Sequence, residues 1–183
     1  MASADKPSER SLASGEETLA KKIFKSSITY SKVKIHNEKY IFVQPDNSGM
    51  TPNGEIYVDG IYKNDYSLES YSLKAFFIHE MVHVWQYQNN VLSPIWSAIG
   101  EFFEEGFRYD NAYKYKLEQG KDLVDYDIEQ QASIIEDYYR ITHEKKHPVK
   151  GHLQNTEALP KLIKLYKSVL AKFLANPSYA KHR

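Results

Sequence analysis

The chain contains no cysteine, which excludes disulfide cross-links and thiolate metal sites and leaves His, Asp and Glu as the ligands open to a transition metal. It has no surplus of either charge. Lys plus Arg and Asp plus Glu both total 24, so the basic footprint of a protein that tracks nucleic-acid phosphates or an anionic membrane is missing. No apolar run is long enough to span a bilayer, because charged residues interrupt each one. Residues 1–19, MASADKPSERSLASGEETL, lack the apolar stretch of a secretory signal. They are polar and small, and are expected to form a flexible N-terminal segment ahead of a domain over 20–183. The protein is expected to be soluble where it is made and, if it acts outside the cell, to leave by a route independent of a signal peptide.

At 183 residues and 42% hydrophobic, the chain suffices for one domain with a real core and is short for two. Aromatic residues are plentiful: the 15 tyrosines exceed what a core usually takes, so some hydroxyls are expected to line a cleft. Alternation in Val33-Lys34-Ile35 and in Lys39-Tyr40-Ile41-Phe42-Val43 predicts two short strands joined by a turn at 36–38. Turn formers fill 45–54, and Glu55-Ile56-Tyr57-Val58 reads as a third strand. A helix capped near Ser67 to Ser70 is expected to run to about Gln88. Another opens at Ser93-Pro94 with Trp96, Ile99, Phe102, Phe103 and Phe107 as a broad apolar stripe, read as core. Further helices are expected over 126–141 and, as an amphipathic buttress, over 156–173. The fold class is α+β, mostly helical, with a short N-terminal sheet.

The helix ending near Gln88 carries the chemistry. Its stretch His79-Glu80-Met81-Val82-His83 places two histidines four residues apart inside an uncharged apolar segment. Four residues amount to about 400° of rotation and one turn of rise, so both imidazoles leave the helix in nearly one direction and can share one ion. Glu80 lies about 100° round the helix, where a carboxylate serves as a base without being a ligand. Burying such groups without a partner costs several kcal/mol, on the order of 2–7 for a single unpaired polar group. A second string of the same form, His143-Glu144-Lys145-Lys146-His147, has lysines in both variable positions and Pro148 behind it. It is expected to be solvated surface.

A zinc ion that activates water needs three protein ligands and an open position. Candidates for the third are Glu101, Glu104, Glu105, Glu118, Glu129 and Glu136. Glu129 ranks first because Ala132 and Ser133, one turn on, allow a second helix to approach closely. Glu136, two turns on along the same face, ranks next, followed by Glu101 or Glu104. The compact arrangement with a glycine turn and a ligand six residues past the second histidine does not fit, since Gln86 and Asn89 stand there.

With Tyr126-Asp127-Ile128-Glu129-Gln130-Gln131-Ala132, the stretch His79 to Gln86 resembles the minimal gluzincin-type zinc peptidases found as toxic domains of type VI secretion, in VgrG-type spike and Rhs-associated proteins. More distantly it is similar to the metallopeptidase-like domain of extracellular contractile injection systems. The resemblance covers about residues 50–140. It implies a small zincin-like fold, Zn2+ held by His79, His83 and Glu129, and Glu80 as catalytic base. It also implies a peptide or peptidoglycan-stem substrate, an immunity protein and a spike or adaptor as partners, and action in a target-cell compartment, the periplasm above others. Where that pattern often has an aspartate four residues past the ligand glutamate to orient a histidine, this chain has Ser133, which brings no charge. Tyr126, Tyr138 and Tyr139 are candidates to donate to a developing oxyanion. The alternative reading is a catalytically silent module of an injection particle that keeps the fold alone.

Overall fold

The computed structural model describes residues 8–42, 44–91 and 111–182. Four short strands form one sheet: β1 (Glu9–Ser11), β2 (Lys34–His36), β3 (Gly49–Met50) and β4 (Ile56–Val58), in the order β1-β2-β4-β3. β2 and β4 run parallel with Ile35 opposite Ile56, while both outer pairs are antiparallel. Ile35, Ile56 and Val58 face the core and are buried, in the two-residue period of a half-covered sheet. The helices are α1 (Ser14–Phe24), α2 (Tyr71–Gln88), α3 (Ile128–Thr142), α4 (Leu159–Val169) and α5 (Ala171–Ala175).

α2 is the axis of the molecule. The Ser70 hydroxyl accepts from the Leu73 amide at its start, and every residue from Phe77 to Gln86 is buried. A helix covered on all sides must be apolar throughout or find partners for its polar groups, and His79, Glu80, His83 and Gln86 are the ones that need them. One side is closed by Trp85, whose ring meets Phe173 edge-on at 5.1 Å and whose indole nitrogen donates to Pro177 O at 2.8 Å. The other side is closed by α3, which makes the most extensive helix contact among the described residues. Ala132 and Ser133 are fully buried where the two backbones approach, as expected from their size.

Three local expectations differ from what forms. Within the stretch read as a flexible lead-in stand β1 and the first turns of α1, because Glu16 is a buried hub. It takes two 2.7 Å hydrogen bonds from the Arg10 guanidinium and accepts from the amides of Ala13 and Tyr66. Tyr66 comes from a distant part of the chain, so polar composition alone suggested a linker. No strand forms at 39–42. The buried Gln44 side chain satisfies that loop instead, accepting from Tyr40 N and donating to Ser48 O and Tyr57 O, and Gly49–Met50 occupies the edge beside β4. The predicted single helix over 156–173 breaks at Leu170 into α4 and α5, which turns Phe173 toward Trp85 and Phe24. The aromatic helix expected from Ser93 lies outside the described residues.

A second buried acid ties α3 to its surroundings. Asp137 accepts from the Tyr115 hydroxyl at 2.7 Å and from the Val149 amide at 2.6 Å, and Tyr115 is hydrogen-bonded to Tyr166 of α4. Burial pushes its carboxyl up to about 7 despite those two donors. The folded state therefore binds a proton that the unfolded chain has released, and stability falls as pH rises from about 4 to about 7. A shift of about 3 units corresponds to about 4 kcal/mol. Urea unfolding of Asp137→Asn is expected to lack that slope, so that the variant gains on the wild type by roughly this amount between pH 4 and pH 8. Parallel pH profiles for the two proteins would refute it.

Candidate metal centre

α2 presents His79 and His83 on one face, and their rings stand 5.1 Å apart. Glu129, in the first turn of α3, reaches between them: its Oε2 lies 3.3 Å from His79 Nε2 and 3.4 Å from His83 Nε2. The three groups form a cluster whose ligand atoms all lie within 4.8 Å of one another. Both separations are long for hydrogen bonds. Atoms bound at about 2.0–2.1 Å to a tetrahedral ion stand roughly 3.3–3.4 Å apart, so the spacing fits one shared cation.

The other ring nitrogens fix the tautomers. His79 Nδ1 lies 3.1 Å from Glu136 Oε2, and a carboxylate only accepts, so Nδ1 carries the hydrogen. His83 Nδ1 lies 2.8 Å from Gln86 Oε1. The orientation of that amide is set in turn, because Gln86 Nε2 donates to Ile128 O and to Gln131 Oε1, and Gln131 donates to Tyr126 O. With Nδ1 of each ring engaged in this way, Nε2 is the nitrogen left to serve as a metal ligand beside Glu129 Oε2, the arrangement a metal site requires.

The electrostatics agree. Burial pushes the imidazole of His79 toward neutrality, but Glu129 and Glu136 outweigh it and raise its pKa well above the ordinary value. His83 is raised as well, against burial, chiefly by Glu129. Glu129 is held far below the usual carboxylate range despite burial, by His83 and His79. The cluster thus favours positive charge at its centre, which suits it to hold a cation.

Glu80 leaves the same helix toward the sheet. It is buried, and its Oε2 accepts from the Thr51 hydroxyl at 2.7 Å. Burial raises its pKa, countered by the two histidines and by Thr51.

Glu136, second among the ligand candidates, orients His79 and does so from two turns beyond Glu129. It stands where it can orient the ring as the aspartate replaced by Ser133 would, and the buried Ser133 hydroxyl has no hydrogen-bond partner among the described residues. Glu118 sits on the surface paired with Lys121, and Glu101, Glu104 and Glu105 lie outside the described residues. Among the candidate tyrosines, the hydroxyl of Tyr126 is engaged with Glu118 N and Lys116 O and that of Tyr139 with Glu144. The ring beside the cluster is instead Tyr113, 5.7 Å from His79 and stacked on His152 at 5.5 Å. The second motif is surface as expected: α3 ends at Thr142, and His143 and His147 are exposed. Sequence reading missed Thr51, Tyr113 and His152, which come from loops. Gln86 was legible, one turn past His83 on its own helix.

Replacing Glu136 by Gln is expected to weaken metal binding roughly 10- to 100-fold, the usual cost of losing the partner of a ligating histidine. Competition with a chromogenic chelator measures it, and unchanged affinity would remove Glu136 from the site.

Fold and cluster together define a small α+β domain built round a His79-His83-Glu129 cluster that could hold a metal ion. No protein-family model matches the chain. The effector domain of Pseudomonas aeruginosa VgrG2b superposes on it with a TM-score of 0.63 at 35% identity, covering 94% of this chain and 84% of that one. The type VI secretion system spike protein VgrG2b of Pseudomonas aeruginosa is 42% identical over 137 residues, 74% of this chain. The chain belongs to the VgrG2b effector-domain family. It matches only 13% of the length of the spike protein itself. Among the described residues no helix is long and apolar enough to cross a membrane.

Proposed function

We propose that the domain is a zinc-dependent metallopeptidase with a zincin-like fold, acting as an antibacterial toxin of type VI secretion. The observation that carries this is the convergence of His79 Nε2, His83 Nε2 and Glu129 Oε2 on one point, with Glu80 on the same helix as both histidines. A zinc ion held there supplies Lewis acidity, polarising a carbonyl and acidifying water beside it. Glu80 takes the proton of the attacking water and returns it to the leaving nitrogen, a task suited to a buried carboxylate whose pKa is raised. β3 is the last strand of the sheet, and a substrate peptide in extended form adds to its outer edge beside Glu80. The peptidase occupies 20–183, with β1 and the start of α1 packed onto it.

Membership in the VgrG2b effector family supports delivery on a secretion spike or its adaptor; an immunity protein protecting the producer and action in the periplasm of the target cell complete the proposal. Peptide bonds in a protein or in the peptidoglycan stem are the substrate class. The purified domain, incubated with labelled casein and with peptidoglycan stem peptides, is expected to cleave one of them, to stop with a chelator and to resume on adding zinc. Cleavage that persists in a chelator would refute the zinc mechanism. Absence of cleavage with zinc bound would favour a silent module.

A further inference from the structure

Glu80 is held by the residue that follows β3 as well as by its helix. The Thr51 hydroxyl donates to Oε2 at 2.7 Å, and the two side chains are buried at 4% and 5% exposure. The other oxygen lies against Gly49, where an added Cβ would stand 2.6 Å from Oε1 and 2.6 Å from Phe76 Cζ. Gly49 does not have positive φ, so what favours glycine there is the close approach of the Glu80 carboxylate and the Phe76 ring. Thr51 follows directly on Gly49–Met50, which are paired with Val58 and Tyr57 of β4, and the donor is thereby anchored to the sheet. Oε1 has no hydrogen-bond partner among the described residues.

We propose that Thr51 is a positioning residue for Glu80: its hydroxyl engages Oε2 and stops the carboxylate from turning, while Gly49 leaves the space in which Oε1 is free to take a proton. This rests on reading Glu80 as the base. A carboxylate tethered through one oxygen presents the other in a single direction, which is what a positioned base requires. The same edge strand that would align a peptide thus aligns the base.

The test compares Thr51→Val, which keeps the shape and removes the donor, with Thr51→Ser, which keeps the donor. On whichever of labelled casein and stem peptide the wild type cuts, T51V is expected to lower kcat roughly 10- to 100-fold, the range for a lost hydrogen bond to a charged group. KM and zinc content are expected to stay unchanged, and T51S to recover most of the rate. A second readout needs no turnover and no metal. In the metal-free protein, T51V is expected to lower the melting temperature by several degrees, and to lower it less in a Glu80→Ala background. Should T51V fail to fold, T51A reads the same quantities.

Full kcat in T51V, a T51S as slow as T51V, or equal melting shifts in both backgrounds would each overturn the proposal. A wild type that binds zinc and cuts neither substrate would refute the hydrolase reading, and the role of Thr51 with it. An active wild type beside an equally active T51V would refute the role of Thr51 alone.

Discussion

Glu80→Gln is expected to reduce hydrolysis by roughly 10²- to 10⁴-fold, the contribution of a general base, while zinc remains bound at the wild-type level. The substitution keeps the volume of a side chain that is 5% exposed, and its amide oxygen still accepts from Thr51. What it removes is the capacity to take a proton. Because Glu80 is outside the ligand cluster, rate and metal content should separate cleanly. The same variant, expressed with export to the periplasm of a susceptible host, is expected to be harmless where the wild type is toxic. Retained turnover would refute the base assignment.

Glu129→Ala is expected to lose the metal. Two imidazoles remain, and two ligands from one helix hold zinc far more weakly than three, so affinity should drop well beyond the roughly 10- to 100-fold cost of an outer-shell change. Thermal melting reads the loss without any substrate. An ion that binds only the folded chain stabilises it by about 4 kcal/mol at a thousandfold excess over Kd, so a chelator should lower the melting temperature of the wild type by many degrees and leave that of the variant unmoved. An equal chelator shift in both proteins would place the third ligand elsewhere.

The contrast between these residues and the outer shell shows how far the chain can be read. His79, Glu80 and His83 sit within one turn and a half of α2, and helix geometry alone gives their relative directions. Glu129 was reachable because the small residues Ala132 and Ser133 mark where a helix comes close. Gln86 was within reach by the same local rule but was weighed only as the place of a chain-turning glycine. Glu136 was ranked as a rival ligand, and its action through His79 Nδ1 depends on the rotation of α3 against α2. Thr51 offers no signal in sequence: a threonine in a turn-rich loop carries chemistry only because β3 pairs with β4 and brings it 2.7 Å from Glu80.

By itself, the amino-acid sequence determined which ligand types are open to a metal, through the absence of cysteine, and the spacing of two histidines and a glutamate on one buried helix. It also determined the α+β class and the approximate span of α2 and α3, since these follow from periodicity and capping among neighbours. The tertiary structure alone decided which carboxylate completes the cluster, which groups orient its histidines and which strand holds Glu80. It also decided that the first residues of α1 are anchored through Glu16 to Arg10 and Tyr66. Most of these contacts, such as Glu80 with Thr51 and Glu16 with Tyr66, join residues tens of positions apart, and their geometry is set by how elements pack, which no local pattern encodes.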